Sequence, residues 1–181
     1  MSLADISHLV VATRNPGKLR EFRSLLAETG WRVLGLHEAG AAGDPEETGT
    51  GFAENARQKA VACSLETPLP VLADDSGLEV FALGGRPGIR SARYAGEGAT
   101  DSDRIVRVLE ELERAGGDRH ARFVCALALA RRGRLLLEAE GECRGDSVAA
   151  GPAPPTRWVC CARSRGCAAA RRPRRGAAPS A

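Results

Sequence analysis

The chain has 181 residues, 43% of them hydrophobic, and a net charge of +3, enough to bury one sizeable core but too little excess charge for a nucleic-acid surface. The basic excess is also local, because Arg171, Arg172, Arg174 and Arg175 crowd the end with no acid after Gly166, and the rest is close to neutral. No run approaches the roughly 20 apolar residues of a membrane span, and Leu9 to Ala12, followed at once by Arg14 and Lys18, is too short for a signal peptide, so a cytoplasmic protein is expected, with neither membrane nor nucleic acid as partner.

In chain order, Leu9 to Ala12 reads as a short apolar strand. Lys18 to Glu28, with Leu19, Phe22, Leu25 and Leu26 at helical spacing, reads as an amphipathic helix ended by Gly30. Trp31 to Leu36 alternates as a second strand, and Gly40 to Gly49 is a loop. Gly51 to Leu65 is a helix carrying Phe52, Ala56, Ala60 and Cys63, and Pro70 to Ala73 a third strand. The glycine-rich stretch Gly77 to Tyr94, interrupted by Pro87, punctuates rather than propagates structure. Thr100, three residues before Asp103, caps a helix through Arg114 with Ile105, Val108, Leu109 and Leu112 on one face. Ala121 to Ala130 and Leu135 to Glu142 form a hairpin around Arg132-Gly133. Alternating strands and helices predict an α/β fold with a central mixed β-sheet flanked by helices.

After Gly145 the chain changes character, becoming rich in Ala, Arg, Pro and Gly with almost no aliphatic periodicity. Such a segment buries too little apolar surface to offset its ordering entropy, so residues 146–181 are expected to be a disordered tail beside a folded domain over residues 1–145. Cys63, Cys125 and Cys143 occur singly, and Cys160, Cys161 and Cys167 lack the paired spacing of a zinc site. Neither a disulfide framework nor a zinc centre is expected.

Three segments carry chemistry. The turn Thr13-Arg14-Asn15-Pro16-Gly17-Lys18 leads from strand to helix, where backbone N–H groups and the positive end of the helix dipole suit a phosphate. It is not a Walker A loop, having no Ser or Thr after Lys18; the alternative is an ordinary turn with a solvated lysine. In VLADDSGLEV, Asp74 and Asp75 directly follow an apolar strand, at the edge of an open α/β sheet where ligands bind. Adjacent carboxylates there need a cation or strong donors, and a hard divalent ion prefers such oxygens; the alternative is a turn in which the aspartates cap backbone groups. A receiver domain offers a similar acidic pair, but with its groups in another order. In EETGTGFAENARQKA, Glu46 and Glu47 precede a Thr-Gly turn into a helix, on which Asn55 and Lys59 share a face at i and i+4. Amide and ammonium side by side suit a phosphate chain, or simply a solvated helix face.

In this order and at these separations, TRNPGK, EETGTGFAENARQKA and ADDSGLEVFALGGRPGIRSARYAG resemble the Ham1/RdgB-type inosine triphosphate pyrophosphatase family, over roughly residues 8 to 145. The resemblance implies a two-lobed α/β fold with a cleft, a homodimer, and Mg²⁺-dependent hydrolysis of noncanonical purine nucleoside triphosphates (ITP, dITP, XTP) to monophosphate and pyrophosphate. It further implies that Thr13, Arg14, Asn15, Pro16, Gly17 and Lys18 form the triphosphate loop, with Arg14 where many members have Gly. Lys59 then contacts phosphate and Ser76 substrate, Glu47 and Asp75 hold metal, Asp75 is the base for the attacking water, and Asp74 and Asn55 support them. A Maf-like nucleotide pyrophosphatase is similar in architecture, but the Asp-Asp-Ser-Gly and Ser-Ala-Arg-Tyr context argues against it.

The departure from the family lies after Gly145. The family's Pro-Arg-Gly turn, Gly-Phe-Gly-Tyr-Asp-Pro segment and Ser-His-Arg motif, which carry base recognition, are absent: the three histidines are His8, His37 and His120, and the one tyrosine is Tyr94. One account is a change of reading frame after Arg144-Gly145, since Arg157-Trp158-Val159 encoded CGG TGG GTN reads Gly-Gly one base later. The other is a natural truncation or a divergent tail. Either leaves two functional readings: an active pyrophosphatase, or an impaired remnant with partial triphosphate and Mg²⁺ binding.

Overall fold

The computed structural model describes residues 7–43 and 45–146. The strands are β1 (His8–Val11), β2 (Arg32–Gly35), β3 (Val71–Val80), β4 (His120–Arg131) and β5 (Arg134–Asp146), and the α-helices are α1 (Pro16–Leu25), α2 (Phe52–Cys63) and α3 (Asp101–Arg114). The strands form one sheet in the order β2-β1-β3-β4-β5, with β1 parallel to both β2 and β3. β4 and β5 are joined by a two-residue turn with φ of 52° at Arg132 and 74° at Gly133, the signature of a type I′ hairpin and therefore of an antiparallel pair. The sheet is thus mixed, as the alternation of elements predicts.

The chain divides into two compact units, one made of the residues up to Asp75 with Ala126–Glu140, the other of Ser76–Cys125 with the segment from Gly141. In the first unit, Leu9, Val10 and Val11 are fully buried, as a strand covered on both faces requires. Leu19, Phe22 and Leu26 pack from the α1 segment onto Val11, Val33, Leu72 and Leu127. α2 turns Ala56, Ala60 and Cys63 inward, all at 0% exposure; their i, i+4, i+7 spacing makes a narrow stripe of small side chains that lets the helix lie close to its support. Its C-terminal end is pinned to the hairpin tip, where Arg132 N–H donates to the Ser64 carbonyl at 3.1 Å and Gly133 N–H to Ser64 Oγ at 2.9 Å.

In the second unit, Val108 and Leu112 of α3 pack with Val80, Leu83 and Ala121. The capping box is present: Asp103 N–H donates to Thr100 Oγ1 and Thr100 N–H to the Asp103 carboxylate. The second half of the long glycine-rich motif ties to the same helix, with Arg86 and the Tyr94 hydroxyl both donating to Glu111 at 2.6 Å.

Element boundaries differ from the sequence expectation at one consequential place. β3 does not stop at Ala73 but continues through Asp74, Asp75 and Gly77 to Val80, so the acidic pair lies inside a strand rather than after it. Gly77 to Tyr94 then holds short 3-10 turns at Phe81–Leu83 and Gly88–Arg93. The disorder expected of the tail and the fate of Cys160, Cys161 and Cys167 lie outside the described residues, except for Asp146, which closes β5. Among the described residues, Cys63, Cys125 and Cys143 are free thiols, and no helix is long and apolar enough to cross a membrane.

Packing of the second unit is testable at Leu112, which is 1% exposed. Leu112→Ala is expected to lower stability by about 3 kcal/mol through lost transfer energy and the cavity left behind, whereas Val106→Ala, at a half-exposed position of the same helix, changes it by less than about 0.5 kcal/mol. Urea midpoints of the two variants check the contrast.

Candidate active site

Alternation along β3 decides how its two carboxylates are served. Leu72 packs on the α1 cluster, so Asp74, two residues on, points to the α1 side and Asp75 to the other. Lys18 Nζ of α1 donates to Asp74 Oδ2 at 2.6 Å, and Asn55 Nδ2 of α2 donates to Asp75 Oδ2 at 2.9 Å. Both carboxylates are buried, Asp74 at 5% and Asp75 at 8% exposure.

The Thr13–Lys18 turn is built from its own side chains. Asn15 Oδ1 accepts from the Gly17 and Lys18 N–H groups at 2.8 and 3.3 Å, and Thr13 Oγ1 accepts from the Asn15 N–H at 3.2 Å. Pro16 stands at the first helical position, where its missing N–H is harmless. A Cβ on Gly17 would lie 2.9 Å from Asn15 Oδ1, so any side chain there requires the cap to shift. The turn therefore presents a solvent-facing rim, with Arg14, Asn15 and Pro16 exposed, and two of its N–H groups already satisfied by the Asn15 side chain.

Lys59 of α2 donates to Glu47 Oε1 and, at 3.4 Å, to the backbone carbonyl of Asp74. Burial pulls the Lys59 ammonium down, but its hydrogen bond to Glu47 and the charges of Glu47, Asp74 and Asp75 outweigh that and hold it above its ordinary value. Asp75 is raised as well, which for a carboxylate disfavours the charged form. Burial raises it most, the bond from Asn55 lowers it, and the nearby charge of Glu47 raises it again, leaving it above its usual range.

Lys18, Glu47, Asn55, Lys59, Asp74 and Asp75 thus come together in the first unit. Ser76 is the next residue of β3 and is half-buried. Asn55 and Lys59 do share a helix face, but the amide is 1% exposed and engaged with Asp75 rather than presented beside Lys59 to a phosphate. Two residues that the sequence reading passes over complete the site. Thr50 N–H and Oγ1 donate to Glu54 Oε2 at 2.9 and 3.1 Å, and Gly49 N–H donates to Asn55 Oδ1 at 2.8 Å. The available signal is the Gly-Thr-Gly run just before the helix, a place for close backbone approach.

Among the described residues, no three His, Cys, Asp or Glu side chains form a ready metal cage. The donors do suit a hard divalent ion of the kind that takes one or two carboxylates together with substrate phosphates. The charge of Glu47 raises the Asp75 carboxyl, a repulsion that a cation held by both would relieve, so the residues present fit such an ion.

The raised Asp75 carboxyl has a consequence for the metal-free fold. Between the ordinary carboxylate value and its raised folded value, the native state holds more protons than the unfolded chain, so this contribution to stability is lost as pH rises through that window. Asp75→Asn, which keeps an acceptor for Asn55, is expected to melt higher than the parent chain at neutral pH in EDTA, with the difference shrinking as pH falls below the window. Thermal melts across pH check this, and equal melting temperatures at neutral pH would contradict it.

The sequence pattern of the Ham1 family matches residues 9–153. The chain is 55% identical over 138 residues to the dITP/XTP pyrophosphatase of Gloeobacter violaceus, covering 76% of this chain and 67% of that protein. It is 50% identical over 141 residues to the dITP/XTP pyrophosphatase of Geobacillus kaustophilus, covering 77% and 69%. Among solved structures, a HAM1 protein from Coxiella burnetii superposes with a TM-score of 0.70 at 41% identity, over 78% of this chain and 73% of that one. A dITP/XTP pyrophosphatase from Mycobacterium abscessus superposes with a TM-score of 0.61 at 36% identity, over 76% and 71%.

Proposed function

The chain belongs to the Ham1 family, and we propose that it hydrolyses noncanonical purine nucleoside triphosphates (ITP, dITP, XTP) to the nucleoside monophosphate and pyrophosphate, with Mg²⁺ as cofactor. One observation carries the reading: two lysines from different helices and three carboxylates meet where the parallel strand β3 leaves β1. Relatives that are about half identical in sequence are named for this activity.

In this reading Thr13, Arg14, Asn15, Pro16, Gly17 and Lys18 cradle the triphosphate, with Lys59 as a second cation on the phosphates and Ser76 contacting substrate. Asp75 takes a proton from the attacking water as the α–β anhydride is cleaved and pyrophosphate leaves. In the metal-free site burial holds its carboxyl above the usual range. Glu47 and Asp75 would hold the metal, which would neutralise charge on the phosphate oxygens. Asp74 keeps Lys18 at the end of the turn, so the cation is placed before substrate arrives. The homodimer, the cytoplasmic setting and the division into an ITPase-like domain over 1–145 and a non-homologous tail over 146–181 belong to the same reading, supported by the resemblance and by composition.

Pyrophosphate release from dITP, with dGTP as comparison, tests the reading. Turnover that prefers dITP is expected, with Asp75→Asn lowering kcat by about 1,000-fold and Lys59→Gln acting mainly by raising KM. Nucleotide binding without turnover would favour the impaired-remnant reading instead.

A further inference from the structure

Asn55 is the most buried polar side chain of the site, at 1% exposure, and both ends of its amide are used. Gly49 N–H can only donate, so the amide oxygen must face it, at 2.8 Å. The amide nitrogen then faces Asp75 Oδ2, at 2.9 Å. The partners thus fix which way the amide points. One end holds the 45–51 loop that carries Glu47, and the other holds the carboxylate of Asp75. Gly49 supplies a second, independent observation. Its φ is not in the left-handed region, so glycine is not required there by backbone conformation. A Cβ at that position would lie 2.5 Å from Asn55 Oδ1 and 2.9 Å from Glu54 Cγ. The absence of a side chain at Gly49 is what allows the amide to seat against the loop.

We infer that Asn55, seated by Gly49, is a positioning residue that sets the orientation of the Asp75 carboxylate and ties it to the loop bearing Glu47, so that the two acidic groups are placed as one piece. This rests on the pyrophosphatase reading above for its kinetic consequence. Its hydrogen-bond content does not. With its amide oxygen on Gly49 N–H and its nitrogen on Asp75, Asn55 acts through Asp75.

Three variants of the full chain test the inference. Asn55→Asp keeps the acceptor for Gly49 N–H but replaces the donor to Asp75 with a second carboxylate. It is expected to lower kcat for dITP by about 100-fold, measured well below its melting temperature, while KM and the affinity for inorganic pyrophosphate stay within threefold. Gly49→Ala, which removes no functional group, is expected to give the same kcat-weighted loss by unseating the amide. The exchanged pair Asn55→Asp with Asp75→Asn restores the donor–acceptor match in reverse, and is expected to regain more melting temperature over Asn55→Asp than Asp75→Asn alone adds to the parent chain, without recovering turnover.

Unchanged kcat in folded Asn55→Asp or Gly49→Ala, a loss confined to KM, or an exchanged pair no more stable than the two single changes sum to would each overturn the inference. If the parent chain itself releases no pyrophosphate, the functional reading fails separately, and the melting temperatures of the parent, both single variants and the exchanged pair decide the positioning inference: a gain beyond the sum of the single changes supports it and an additive result sinks it.

Discussion

Two carboxylates on consecutive residues inside a buried strand are the constraint around which the first unit is arranged. Ionised side chains cannot be left unpartnered at 5% and 8% exposure without a large desolvation cost. Because neighbours on a strand face opposite ways, one helix cannot serve both. α1 must end its N-terminal turn with a cation within reach of Asp74, and α2 must offer a donor to Asp75.

The hydrogen-bond pattern of the loop before α2 shows how such a requirement is met with ordinary parts. The first turn of α2 reaches back twice, Glu54 to Thr50 and Asn55 to Gly49. Hydrogen bonds from Thr50 hold Glu54 below the usual carboxylate range, which favours its acceptor form. The N-terminal N–H groups of a helix need partners in any case, and Gly51 at the N-cap has no side chain to supply one. Here the helix instead uses its own side chains to fix the preceding loop, and Glu47 is carried along with it.

Much of this was legible in the sequence, and the misses have physical causes. The TRNPGK turn, the Thr100 capping box and the Arg132-Gly133 hairpin were readable because each depends on local backbone chemistry: an Asx cap, a reciprocal side-chain bond, a positive φ next to glycine. The length of β3 was not, since Asp-Asp-Ser-Gly has the composition of a turn and only tertiary partners such as Lys18 and Asn55 make it tolerable within a strand. The task of Asn55 was hidden for a related reason. Helical spacing says that Asn55 and Lys59 share a face, but not what lies opposite that face. Four residues along the same helix, one meets a carboxylate side chain and a loop N–H, while the other meets Glu47 and a strand carbonyl.

The partners of the two lysines also bear on how a triphosphate can be received. An ammonium group carries three N–H donors. Lys59 spends two, on Glu47 and the Asp74 carbonyl, and keeps a third for a phosphate oxygen. For Lys18, leaving Asp74 altogether would take a charge-assisted hydrogen bond from a carboxylate that is 5% exposed, whereas its own side chain is 28% exposed and can turn a donor outward while keeping that bond. Bridging therefore costs less than exchange at both lysines. Under the proposed function the acidic groups keep their counterions throughout binding, and the phosphates meet a site whose charges are already in place, which is the condition under which electrostatic stabilisation needs least reorganisation.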